Sequence, residues 1–303
     1  MTTDSAIGSA ASRYLLGRRM RTLREHAGLS LREASRRLDV AQSQISRMEN
    51  GEAPVQAADL KLACEVYDVT DADQIRALTD LASATRRSKA AKNWLSSYAD
   101  VMSDNFALFV ELEAAASALT WYEVDYVPGL LQTRDYAYNL MRAERLTGAG
   151  LDPDALTRRV EIRLNRQRIL DRESGAPEFS VVLSETVLRR RIGGPAVMAG
   201  QLRHLVEMAK RPGIEIQVMP IEREHAGLAT GPFCLLDFPP SGPLIEPSLI
   251  YVDGHLGFFW SDKAEEVALH RTARANLRET ALDPRKSAEL IEQKLAELQQ
   301  QLT

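Results

Sequence analysis

The sequence predicts a mainly α-helical chain whose second part is a mixed α+β domain. Three observations predict it. A length of 303 residues fits two domains better than one. Residues 17–69 carry short apolar runs at helical spacing. Beyond residue 178, strand-like runs alternate with longer amphipathic helices. The composition, 45% hydrophobic and 26% charged, is ordinary for a globular protein and argues against global disorder.

The first element is an Arg-rich helix with Met20 and Leu23 on one face, ending at Gly28, a residue suited to a C-terminal cap. Ser30 opens a second helix, and Glu33 three positions on completes a capping box. Ala34 and Leu38 continue its inner face. After Asp39-Val40 a third helix runs from Gln42 to Glu49 with Ile45 and Met48 inward, and Asn50-Gly51 ends it. Leu60, Leu62, Ala63 and Val66 mark a fourth helix, and a fifth runs from about Asp73 to Thr85. Two short helices joined by a tight turn, the second of them polar, make a helix-turn-helix.

Charge agrees with that reading. Residues 13–51 hold nine arginines against four carboxylates, a net +5. The whole chain is −4 and residues 1–12 carry one acid, so residues 52–303 sum to −8. Basic clustering on a short module is the electrostatic footprint of nucleic-acid binding. On the third helix, Gln42, Ser43, Gln44, Ser46 and Arg47 face away from Ile45 and Met48. A glutamine can read adenine, and an arginine guanine, with two hydrogen bonds each.

The stretch Gly28-Leu-Ser-Leu-Arg-Glu-Ala-Ser-Arg-Arg-Leu-Asp-Val-Ala-Gln-Ser-Gln-Ile-Ser-Arg-Met-Glu-Asn-Gly51 resembles the XRE-type family of regulators. That family shares the fold of the phage repressors and Cro. The resemblance implies a five-helix domain whose third helix enters the major groove. It makes Gln42, Ser43 and Gln44 the leading base readers, with Ser46 and Arg47 on bases or phosphates. It places Asn50 near phosphate. Arg18, Arg19, Arg32, Arg36 and Arg37 are the candidates for backbone contacts, which fix position and not sequence. Helix two begins with Leu31, where family members often have a duplex-contacting glutamine.

The expected organisation is a flexible N-terminus (1–12), the helix-turn-helix domain (13–85), a linker (86–100), an α+β regulatory or partner-binding domain (101–283) and a C-terminal amphipathic helix (284–303). The linker includes the basic run 85–92. In the larger domain, helical periodicity covers 104–119 through Phe106, Phe109, Leu112, Ala116 and Leu119, and Val127-Pro-Gly breaks the pattern. Thr133 can cap a helix over 134–146, and a charged helix follows Pro153 to Leu170. Strands are expected at 179–183, 214–218, 233–238, 249–252 and 256–260. A helix starts at Gly193-Gly194-Pro195 and reaches Lys210. Asp262 can cap another to Thr280. The last helix, Pro284 to Leu302, repeats Ile291, Leu295, Leu298 and Leu302, which suits either a short dimer seam or docking onto its own domain.

This part also resembles actinobacterial regulators of the WhiJ-like type. The resemblance rests on Glu111-Leu-Glu113, Val127-Pro-Gly-Leu-Leu-Gln-Thr-Arg-Asp-Tyr-Ala137, Arg166-Gln-Arg-Ile-Leu170, Leu183-Ser-Glu-Thr-Val-Leu188, Gln201-Leu-Arg-His-Leu205 and Gly231-Pro-Phe233. It implies an XRE-type head and a C-terminal domain that senses a ligand or binds a small partner protein.

Nothing in the sequence suggests catalysis, a cofactor or a metal. The histidines (26, 204, 225, 255, 270) show no i, i+4 pair, and Cys64 and Cys234 lie far apart. The Gly227–Gly231 stretch reads as a loop, and Glu185 and Glu224 have no nucleophile to serve. A pocket, if present, is expected among Glu113, Trp121, Tyr122, Tyr126, Gln132 and Tyr136, where rings meet polar groups; the same rings also suit a plain core. With no eighteen-residue apolar run and no signal-like start, the expected place is the cytoplasm. The expected function is a dimeric, sequence-specific DNA-binding regulator. The alternative is one half of a toxin–antitoxin-like pair with autoregulatory DNA binding. Double-stranded DNA is the expected partner in both.

Overall fold

The structure, a computed structural model, describes residues 9–87, 94–144, 152–223, 230–239, 248–254 and 257–301. Residues 1–8 of the expected flexible lead, 88–92 of the basic run, Gly227, Glu224, His225, His255 and Leu302 lie outside the described residues. The chain forms two compact units.

The first unit takes in residues up to Ala99 and Ser103–Ala115. It contains α1 (Ser9–His26), α2 (Leu31–Leu38), α3 (Gln42–Glu49), α4 (Ala57–Val66), α5 (Ala72–Arg87) and α6 (Asp104–Ala115). The capping box at α2 is formed: Glu33 N donates to Ser30 Oγ at 3.2 Å and Ser30 N donates to Glu33 Oε2 at 2.9 Å. Asp39 takes the left-handed conformation, φ 52°, to turn the chain into α3. Aspartate tolerates that conformation at low cost. Leu16, Met20, Ala34, Ile45, Met48, Leu60 and Leu78 are buried and supply the unit's core.

Two boundaries differ from expectation. Helix α1 begins at Ser9, inside the stretch expected to be flexible. Helix α6, expected at the start of the larger domain, clusters by contact with the first unit. One contact explains both. Glu111 of α6 accepts hydrogen bonds from Ala10 N and Ala11 N, each 2.9 Å. A carboxylate on the free amides of a helix start stabilises that turn.

The second unit holds one sheet in the order β3-β2-β1-β4-β5-β6. Its strands are β1 (Ala118–Glu123), β2 (Glu178–Ser184), β3 (Ile214–Met219), β4 (Phe233–Asp237), β5 (Leu249–Gly254) and β6 (Gly257–Ser261). β1, β2 and β3 pair in parallel, and β1-β4, β4-β5 and β5-β6 pair antiparallel. Helices α7 (Arg134–Glu144) and α8 (Pro153–Gln167) connect β1 to β2; α9 (Glu185–Arg189) and α10 (Pro195–Met208) connect β2 to β3. α11 (Ala264–Thr280) lies on one face, where Val267, Leu277 and Ala281 pack with Tyr122, Val182, Phe233, Leu235 and Ile250. α12 (Pro284–Gln300) packs against α10 and β3 with Ile291 and Leu298 buried, so the apolar stripe docks onto its own unit.

Strand β1 is a correction. The helical spacing through Leu119 suggested a helix to residue 119, but α6 stops at Ala115 and Leu119 is already in the central strand. A strand covered on both faces buries consecutive residues and shows no alternation; every residue from Leu119 to Glu123 is buried. The start of α11 also differs: its N-cap is Lys263, with no side-chain cap, and not Asp262. Among the described residues, no helix is long and apolar enough to cross a membrane.

Candidate nucleic-acid interface

Helix α3 presents two faces of different chemistry. Ile45, Met48 and Glu49 are buried; Gln42, Ser43, Gln44, Arg47 and Asn50 are exposed, and Ser46 is half-buried. The base-reading candidates therefore share one accessible surface. Among the described residues, the Arg47 side chain makes only a long contact, 4.0 Å, to the exposed Glu52, and an exposed pair of that kind holds a side chain weakly.

Beneath that surface α3 is locked to α1. Arg24 Nε donates to Glu49 Oε1 at 2.7 Å and Arg24 Nη2 to Glu49 Oε2 at 2.9 Å. Arg24 Nη1 also donates to Leu29 O at 2.8 Å, so one buried guanidinium ties the end of α3 to the turn before α2. The hydrogen bond to Glu49 raises the Arg24 pKa above its ordinary value against the opposing effect of burial. Tyr67 lies in this environment, and burial pushes its phenol up to about 12. Gly17 brings α1 into contact with the α3 backbone. A Cβ there would sit 2.3 Å from Met48 O and 2.7 Å from Glu49 O. Arg13 Nε donates to Gly51 O at 2.7 Å and Arg21 to Asn50 Oδ1, which holds the turn after α3. Sequence reasoning missed Gly17, Arg24 and Glu49. The buried polar end of an otherwise apolar helix face was the only local signal.

The backbone-contact candidates divide. Arg32, Arg36 and Arg37 are exposed on α2 and make no ion pair among the described residues. Arg18 and Arg19 do not join them, which corrects the expectation for this pair. Arg18 is only 2% exposed, with its guanidinium over the Tyr14 ring at 5.6 Å. Arg19 is also buried, and that burial pulls its guanidinium down to about 10. Helix α1 packs against α3, α5 and α6, so Arg18 and Arg19 face neighbours and not solvent. Asn50 is exposed but already accepts from Arg21.

Among the described residues, the aromatic candidates are mostly built into the core, and Trp121 and Tyr122 line a cavity of about 10 Å³. Glu113 is on α6 of the first unit, whereas Trp121 and Tyr122 are on β1 of the second. Trp121, Tyr122, Gln132 and Tyr136 are buried, and Tyr126 is half-buried. Trp121 meets Tyr251 edge-on at 6.5 Å and Tyr122 meets Phe233 at 6.3 Å, as core rings do. The polar groups are used internally. Tyr136 OH accepts from Val127 N at 3.2 Å; Gln132 Nε2 donates to Val127 O at 2.6 Å and its Oε1 accepts from Arg163 Nη1 at 2.8 Å. Gln167 Nε2 donates to Gly129 O and Gln132 O. Gln201 donates to Leu131 O and accepts from Thr133 N, both at 2.7 Å. Three glutamines from three quoted motifs thus fasten the Val127–Thr133 loop. Their pattern records a structural knot.

Other titratable candidates also have structural surroundings. Glu185 is held by Arg189 at 2.6 Å and accepts from Ile221 N at 3.4 Å. His270 meets the Phe233 ring at 5.0 Å, and burial lowers the His204 pKa. Cys64 and Cys234 are both buried, and neither forms a disulfide. Glu123, at the end of β1, is 4% exposed. Burial, then the Asp253 and Asp125 carboxylates, hold its carboxyl well above the ordinary range, with Arg163 opposing.

Comparison with known families also divides the chain in two, with the second match starting inside α6, as the sequence expects. A family described as a helix-turn-helix domain matches residues 15–78, which include α2, the turn and α3. The chain therefore carries a DNA-binding helix-turn-helix domain. No curated protein and no solved structure matches the chain. A second family matches residues 106–293, most of the chain, and by that match the protein belongs to the family of the domain of unknown function DUF5753.

Proposed function

We propose that the protein is a sequence-specific transcriptional regulator of the XRE type that acts in the cytoplasm as a homodimer. The observation that carries this reading is the joint exposure of Gln42, Ser43, Gln44 and Arg47 on α3, above a buried Arg24–Glu49 clamp. Two copies of α3 about one helical turn apart on the duplex then read a near-palindromic site. Arg32, Arg36 and Arg37 supply phosphate contacts. The DUF5753 unit, whose motifs resemble those of WhiJ-like regulators, couples DNA affinity to a ligand or a partner protein and is not an enzyme. Such coupling requires the ligand to prefer one state of the protein.

Capture of genomic fragments by purified protein at two salt concentrations tests the reading. Recovery of a defined motif that persists at the higher salt is the expected result. Capture that is unselective and lost with salt reflects phosphate contacts alone and contradicts it.

A further inference from the structure

One open cleft of the second unit lies outside the aromatic segment. It lies at the amino ends of β1, β2 and β3, between α10, the last turns of α11 and the start of α12, and has room for about 610 Å³. That volume suits a small molecule. Its floor is unusual for a sheet interior. Thr120 pairs with Ser180, and Ser180 pairs with Glu215, so three polar side chains form one cross-strand row on the same face. Thr120 Oγ1 and Ser180 Oγ are 3.1 Å apart. One hydroxyl donates to the other, which leaves a hydroxyl hydrogen for another acceptor. A cavity of about 10 Å³, one water site, adjoins the row between Thr120, Ser180 and Arg274.

The cations at the cleft are not equivalent. Arg278 is paired with Glu215 at 2.6 Å, Lys210 with Glu207 at 2.8 Å and Arg285 with Glu289 at 2.6 Å. Arg274, one turn before Arg278, lines both the cleft and the small cavity, is half-buried, and has no carboxylate partner among the described residues. Glu178 and Glu292 also line the cleft, at its rim. A half-buried guanidinium lining the same cleft as a hydroxyl pair has the donors an oxyanion needs, since its fork matches a carboxylate or a phosphate with two hydrogen bonds.

We propose that this cleft binds a small molecule bearing a carboxylate or phosphate group, held by Arg274 and by the Thr120–Ser180 hydroxyls. The proposal rests on the reading of the second unit as ligand-responsive. Its test uses no DNA, so its failure leaves the DNA-binding reading untouched.

The experiment is thermal unfolding of the full chain with inorganic phosphate or citrate at low millimolar concentration, against sodium chloride at matched ionic strength. Phosphate and citrate report the two headgroup chemistries separately. Wild type is expected to show a saturable rise in midpoint with at least one of them. Arg274→Gln is expected to weaken the apparent Kd about tenfold or more, and Arg274→Lys less, because the charge stays and the fork is lost. Arg274 has no carboxylate partner among the described residues to strand, so the variants are expected to keep the fold. Both anions also stabilise proteins by exclusion from their surface, so dependence on Arg274 decides the matter. No rise above chloride with either anion, or an equal rise in Arg274→Gln, overturns the proposal.

Discussion

Single residues separate two kinds of arginine that the sequence alone treats alike. Arg47 is exposed on α3, whereas Arg18 is buried on α1. Removing Arg18 therefore acts on the fold. Arg18→Ala is expected to lower the melting temperature while the salt dependence of DNA binding by the folded fraction keeps its slope. A slope reduced by about one unit returns Arg18 to the phosphate-contacting set. Glu123 gives a pH signature. Its pKa is raised in the folded state, so the folded protein favours the protonated carboxyl. That contribution is fully present below the unfolded value and is lost as pH rises through the folded one. Glu123→Gln carries no charge to bury. It is expected to melt above wild type at pH 8, with the gap closing toward pH 4. A gap that is constant with pH means Glu123 is not the titrating group.

At the scale of elements, close approach of backbones decides whether α3 is presented at all. Gly17 of α1 lies against the carbonyls of Met48 and Glu49, which have no freedom to move as a side-chain end does. Gly17→Ala is expected to destabilise the first unit by about 1–3 kcal/mol or more, in line with overpacking. Gly200, inside α10, faces open space. Gly200→Ala is expected to be neutral or to stabilise by up to about 1 kcal/mol, as in any helix interior. Chemical denaturation of both variants checks the pair; equal effects contradict the packing argument. The same scale shows what was legible. The faces of α2 and α3 follow from local period, and the Ser30–Glu33 box formed as the spacing requires. The Arg24–Glu49 clamp was hidden because its partners are 25 residues apart. β1 was hidden because α6 and the strand share an unbroken apolar spacing. The aromatic segment misled because rings and amides serve a core as well as they serve a pocket.

The whole molecule combines a helix-turn-helix unit of known chemistry with a DUF5753 unit whose sheet order reads only in three dimensions. The Thr120–Ser180–Glu215 row draws on three strands far apart in sequence, so no local pattern announces the cleft. The central claim is that α3 reads sequence. The direct measurement is selection from randomised duplexes by wild type, Gln42→Ala and Arg47→Ala, with affinities for the selected site. Each variant is expected to lose about 1–3 kcal/mol on that site and to relax the preference at particular base positions. Variants that keep both the wild-type motif and the wild-type affinity contradict the assignment of α3 as the reading helix.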